Sequence, residues 1–101
     1  MNIYEESTPP EAGTEQFDTL CSTSAFHIER IRSNRVCEGE WYDQEKDEWV
    51  MLVRGEASLE YRDGTLLQLK AGDHIFIPAH TPHRVSHTCE DAIWVAVHAG
   101  A

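Results

Sequence analysis

Trp49-Val50-Met51-Leu52-Val53, Arg54-Gly55-Glu56, Ala57-Ser58-Leu59-Glu60-Tyr61, Arg62-Asp63-Gly64-Thr65 and Leu66-Leu67-Gln68-Leu69 follow one another without interruption. The first block is apolar throughout, as expected of a strand covered on both faces. The third alternates apolar and polar residues, as a half-buried strand does. Asp63-Gly64 then supplies the strongest short hairpin signal, because a tight reversal needs positive φ and these residues tolerate it. Strand, turn, strand, hairpin and return strand are therefore predicted in sequence.

The same rhythm continues in both directions. Lys70-Ala71-Gly72-Asp73 reads as a turn, His74-Ile75-Phe76-Ile77 as a strand closed by Pro78, and His83–His87 and Ala92–Val97 as further strands. Upstream, Ala25–Ile31 alternates in the same way. Six to eight short strands with a turn about every ten residues indicate a β-sandwich or barrel. No helix and no repeat of solenoid period is found. The first 19 or so residues carry Pro9, Pro10 and Gly13 and read as an extended arm, with Phe17 and Leu20 able to anchor its end. The expected organisation is an N-terminal arm over 1–20 and an all-β barrel domain over 21–101.

A chain of 101 residues, 41% apolar, is one domain that can bury one core. No apolar run approaches the roughly 18 residues that span a bilayer. Met1–Glu6 lacks the basic start and apolar stretch of a secretory signal, so a cytoplasmic protein is expected. The net charge of −10 is unevenly spread. Residues 1–20 hold Glu5, Glu6, Glu11, Glu15 and Asp18 with no Lys or Arg, and 38–48 hold six carboxylates against Lys46. Such a surface repels phosphate backbones and anionic lipid, so neither nucleic acid nor membrane is expected as a partner. The second cluster is either a solvated face or a mouth that concentrates cations. Cys21, Cys37 and Cys89 match no zinc or redox spacing and are expected to be small buried apolar residues, with Cys37 nearest the candidate site.

Two segments hold the side chains most able to bind a metal or move a proton. One is Glu40–Glu48, entering the apolar strand; the other is Pro78–His83, followed by His87. Side chains at i, i+2 and i+4 share a strand face, so Tyr42 and Gln44 project together, as do His83 and His87 if that run is regular. A divalent cation needs three or four N or O donors converging from different strands, which a barrel interior can supply.

These segments resemble the two motifs of the cupin family. Glu48, six residues and Gly55 match the second half of G-x5-HxH-x(3,4)-E-x6-G. Gly72, five residues, Pro78 and then His83 match G-x5-PxG-x2-H-x3-N, and about sixteen residues separate the two, as in small bacterial cupins. The resemblance covers roughly residues 38–98. It implies a double-stranded β-helix, a jelly-roll-like barrel, commonly dimeric and with a metal inside. The departures are specific: the two histidines of the first motif fall on Tyr42 and Gln44, the Gly of the second is His80, and its Asn is His87. The implied metal ligands are therefore Gln44, Glu48 and His83. Tyr42 and His80 are the candidate acid–base groups, and Asp43 turns inward if the spacing to Glu48 is read one residue longer. A mixed imidazole, carboxylate and amide set suits Zn, Mn, Fe, Ni or Co.

Every candidate also has a structural reading. Glu48 can be a strand-entry ion-pair partner, and His80 and His87 hydrogen-bonded rim residues. His27, His74 and His98 stand alone in strands and are read as structural. Trp41, Trp49 and Trp94 are read as core or subunit interface, with one of them able to wall a ligand pocket. Two functions remain open. One is a small metal-dependent enzyme, oxygenase or isomerase in type, acting on a small polar or anionic metabolite. The other is a non-catalytic small-ligand or assembly module with a degenerate metal site. Because residues 49–53 are apolar on both faces, a homodimer is expected.

Overall fold

The computed structural model describes residues 2–5 and 8–100. Met1 and Glu6, used above for the leader and charge readings, lie outside the described residues, as do Ser7 and Ala101. Eight strands are formed: β1 (Thr14–Ser22), β2 (Phe26–Asn34), β3 (Glu48–Arg54), β4 (Glu56–Tyr61), β5 (Leu66–Lys70), β6 (His74–Ile77), β7 (His83–Thr88) and β8 (Ala92–Ala99). They make a five-stranded sheet, β1-β2-β8-β3-β6, and a three-stranded sheet, β5-β4-β7, with every pairing antiparallel. This is the all-β barrel expected from the strand rhythm, in the jelly-roll-like form that the resemblance implies, and no helix among the described residues is long and apolar enough to cross a membrane.

The core follows from strand alternation. Val50 and Leu52 of β3, Trp94 and Ala96 of β8 and Ile77 of β6 face Ala57 and Leu59 of β4 and Leu69 of β5. The intervening residues of β3, Trp49, Met51 and Val53, lie half-buried on the outer side, with the Trp49 ring 5.6 Å from that of His74. The Asp63-Gly64 reversal joins β4 to β5, with Gly64 at φ 93° and Tyr61 N donating to Thr65 O. Gly55, between β3 and β4, has φ 92°, and a Cβ there would lie 2.6 Å from Cys89 Sγ. The glycine of the first motif is thus needed twice over, for its dihedral and for its missing side chain.

The arm boundary drawn at residue 20 falls inside regular structure. β1 begins at Thr14 and pairs with β2 from Thr14↔Asn34 to Ser22↔His27, through a bulge at Thr19/Cys21. The described residues ahead of it form no strand, with turns at Ile3-Tyr4 and Ala12-Gly13. They cross the outer side of the sheet, where Arg30 Nη1 donates to Ile3 O and Tyr4 Oη donates to Val53 O. Beneath them Arg30 and Arg32, 4% and 1% exposed, are balanced by Asp18 and Asp91 at 2.8 and 3.0 Å. Buried guanidinium groups persist only when paired in this way. The cysteines depart from expectation: Cys21 and Cys37 are exposed and Cys89 is half-buried, because Cys21 lies on an edge strand and Cys37 in the loop after β2.

Candidate functional site

Four polar side chains meet inside the barrel. Glu48 starts β3 and His83 starts β7, so the two stand on opposite sheets and face each other across the interior. Tyr42 joins the wall through a two-hydrogen-bond bridge to His83: Tyr42 N donates to His83 O at 2.8 Å and His83 N to Tyr42 O at 3.0 Å. Glu15 reaches in from β1. These four groups line a cavity of about 50 Å³ whose other walls are apolar, among them Ile31, Leu59, Val85 and Trp94. That volume holds a few waters or one compact group.

The hydrogen bonds orient each group. His83 Nδ1 lies 2.8 Å from the Thr81 carbonyl, which can only accept, so Nδ1 carries the proton and a neutral ring turns a bare Nε2 inward. That nitrogen is 3.8 Å from Glu48 Oε1, too far for a hydrogen bond. Glu48 is 6% exposed, and burial pushes its carboxyl above the usual carboxylate range, with His98 and His83 opposing the rise. Glu15 is pushed up by burial as well; Ser33 Oγ donates to its Oε2 at 2.5 Å and accepts from Trp94 Nε1 at 3.0 Å. Burial also raises the Tyr42 phenol, with Glu15 the foremost of the carboxylates that add to it.

A second set of groups, His27, Glu29 and His98, adjoins Glu48, although His27 and His98 stand alone in the sequence. Register pairs His27 with His98 and His98 with Glu48, so the three form a row across β2, β8 and β3. His98 Nε2 donates to Glu29 Oε1 at 3.1 Å and lies 3.9 Å from Glu48 Oε2; His27 Nε2 lies 3.6 Å from Glu29 Oε2. Imidazoles and carboxylates thus alternate from His27 through Glu29, His98 and Glu48 to His83. The hydrogen bond to Glu29 raises His98 above the ordinary imidazole value and lowers Glu29 in return. The signal was the two-residue spacing of His27-Glu29 and of Trp94, Ala96 and His98. Without the strand pairing, nothing showed that these faces are neighbours.

The remaining candidates separate. Gln44 lines a different pocket, shared with His27 and His98, and its Oε1 is buried without a hydrogen-bond partner. His80 is exposed, 3.3 Å from an exposed Asp43, and has φ 58°. That dihedral explains why the second motif ordinarily carries Gly at this place. His87 points outward although it is four residues from His83. Leu59 pairs with Val85 but Ser58 with His87, so a bulge at Ser86 inverts the alternation between the two histidines.

The donor set can be tested against a metal ion. Glu48 and His83 Nε2 are buried acceptors facing each other with no donor between them; Gln44 Oε1, also without a donor, belongs to the separate pocket around His98. Oxygen and imidazole donors of this kind suit a divalent first-row ion. Among the described residues no group of three or more His, Cys, Asp or Glu is placed to hold a metal ion. Glu48 and His83 alone fall short of the three protein ligands that open catalytic sites provide, so an ion at this pair would be held weakly.

Comparison with known proteins gives the lineage. The family described as "Cupin domain" matches residues 33–98. A protein of Ralstonia eutropha, provisionally named a mannose-6-phosphate isomerase, is 37% identical, with a TM-score of 0.86 over 100% of this chain and 97% of its own. An RmlC-like cupin of Shewanella frigidimarina is 22% identical, with a TM-score of 0.77 over 92% and 82% of the two chains. KdgF of a Halomonas species is 20% identical, with a TM-score of 0.81 over 100% and 93%. These last two likenesses speak to the fold alone. No curated protein matches the chain. With the motif spacing, the two facing sheets and the family match in agreement, the chain belongs to the cupin family.

Proposed function

We propose that this cupin binds a divalent transition metal at the interior end of β3 and β7 and acts there on a small polar molecule. The observation that carries the reading is the buried Glu48–His83 pair, two acceptors 3.8 Å apart with no hydrogen-bond donor between them. A cation would relieve that arrangement, and the Thr81 carbonyl already holds the His83 ring in the tautomer a ligand needs. Glu48 and His83 would hold the ion and the ion would supply Lewis acidity; Gln44, which lines the neighbouring pocket with His98, would add its amide oxygen only by turning inward. The chain's own contribution is a protonatable Glu15, a Tyr42 side chain lining the same cavity, and apolar walls that exclude bulk water. Names of similar structures, an isomerase among them, agree with a metabolite-scale substrate.

Thermal unfolding with and without Zn, Mn, Fe, Co or Ni tests the reading. At least one ion is expected to raise Tm in the wild type, and the rise is expected to vanish in His83→Ala. A wild-type Tm indifferent to all five ions would refute it. The absence of a closed cage favours a second reading, a metal-free barrel that only binds a small ligand. In that case ligand affinity would survive exhaustive chelation.

Two further features complete the proposal. Phe76, 58% exposed beside half-buried Trp49 and Met51, supports a homodimer through the outer face of β3 and β6. Sedimentation at a single 11.5 kDa species would exclude it. Three thiols free of disulfides, two of them exposed, favour the reducing cytoplasm, where oxidant-free fractionation should recover them reduced.

A further inference from the structure

A groove of about 410 Å³ opens beside the interior cavity, and the two share Glu15 and Tyr42. Its volume falls within the range of small-molecule sites, whereas the cavity behind it holds only a compact group. The groove runs between β1 and the loop from Val36 to Tyr42. Phe17, 50% exposed, forms one apolar wall, and Glu38 and Glu40 stand along the other. At the junction Glu15 spends Oε2 on Ser33 and keeps Oε1 for an incoming group. Deeper in, Glu48 is 6% exposed, lines the cavity, and has no hydrogen-bond donor nearer than the imidazoles at 3.8 and 3.9 Å.

Positive charge is kept elsewhere. Neither groove nor cavity is lined by Lys or Arg among the described residues. Arg30, Arg32, Arg35, Arg54 and Arg84 are each ion-paired with Asp18, Asp91, Glu90, Asp91 and Glu60. Arg62 and Arg84 stack over Trp41 at 4.3 and 4.7 Å. A phosphate or carboxylate entering here would pass three carboxylates and meet no guanidinium or ammonium. Recognition of such anions is ordinarily built on Arg or Lys.

We infer that the groove is the entrance to the site and selects a small cationic molecule, an amine with a compact apolar body, over phosphorylated or carboxylate-bearing ones. The apolar body lies against Phe17 and the amine donates to Glu15 at the junction, with the Tyr42 ring beside it. Like-charge contact penalises the anions, which is specificity by exclusion as well as by attraction. This inference rests on the cavity being the binding site, but not on a metal being bound there. It also separates this chain's chemistry from the sugar phosphate in the Ralstonia protein's name.

The test is a matched series of isobutylamine, isobutanol, isobutyrate and isobutyl phosphate, followed through the Trp94 indole N–H resonance. That N–H donates to Ser33 Oγ, which in turn donates to Glu15, so it reports on the junction. Isobutylamine is expected to shift the signal and to bind at least about tenfold more tightly than isobutyrate or the phosphate at low salt. The preference should shrink in Glu38→Gln/Glu40→Gln, whose exposed positions leave the fold intact, and at high ionic strength. Equal or tighter binding of either anion, or no response to any of the four, would overturn the inference. Each titration is repeated with Zn and with chelator. An amine preference without any metal effect would sink the metal reading alone, and a metal effect without the preference would sink this one alone.

Discussion

Replacing Glu48 by Gln is expected to make the metal-free protein more stable at alkaline pH, although it removes the central group of the site. In the wild type the carboxylate is 6% exposed and receives no hydrogen bond within 3.5 Å; its nearest neighbours are His83 Nε2 at 3.8 Å and His98 Nε2 at 3.9 Å. Above the titration of His98 that ring is neutral, and the ionised carboxylate is desolvated facing the bare His83 Nε2. A charged group left unsatisfied costs on the order of 1–3 kcal/mol or more. The Gln amide occupies the same space and can donate to the bare His83 Nε2. A gain of about 1–2 kcal/mol follows, and in a domain of this size each kcal/mol raises Tm by about 4–8 °C. Below the titration of His98 the sign changes. A protonated His98 at 3.9 Å attracts Glu48 by about 4 kcal/mol at an effective dielectric of 20, and the amide forfeits this. Scanning calorimetry in chelator at pH 8.5 and pH 5.5 should therefore give Tm differences of opposite sign. A lower Tm for Glu48→Gln at pH 8.5, with native near-ultraviolet dichroism, would refute the reasoning.

The remaining expectations concern the whole fold. Stability of the metal-free protein should peak on the acidic side of neutrality. Glu15, Glu48 and His98 have raised values, so their contributions are complete below the ordinary 4.5 and 6.5 and are lost as pH rises through the folded ones. Glu29 and Asp18, lowered by His98 and Arg30, contribute above their ordinary 4.5 and 3.8 and fail as pH falls; urea midpoints from pH 4 to pH 9 trace the dome. Leu52→Ala, at a fully buried position between the sheets, should cost about 2–5 kcal/mol in the same assay. Gly55→Ala should cost about 1–3 kcal/mol, since φ 92° is unfavourable for Ala and Cys89 Sγ lies 2.6 Å from the new Cβ. Shortening the obstacle with Cys89→Ala should recover only the steric share of that loss.

Legibility in the sequence divides along physical lines. Strands β2 to β8 could be read because alternation and turn residues are local properties, and the Asp63-Gly64 reversal needs no tertiary information. β1 could not: Pro9, Pro10 and Gly13 mark an irregular start, and the strand from Thr14 is held by pairing with β2 rather than by its own apolar pattern. Glu48 and His83 could be placed because motif spacing fixes which barrel position each occupies, and the structure brings them face to face. Glu15, Glu29 and His98 could not, since their roles arise from cross-strand neighbours up to 69 residues apart in the chain. His87 was misleading for the opposite reason. Its spacing from His83 suggested a shared face, and one bulged residue, Ser86, turned it outward.

The central claim is that the Glu48–His83 pair holds a cation. Equilibrium dialysis of the protein against each of the five ions in turn, with elemental analysis of both compartments, tests it most directly. About one ion per chain is expected for at least one metal, falling towards zero in Glu48→Gln and His83→Ala. A wild-type protein that retains no more of any ion than the two variants do would contradict it.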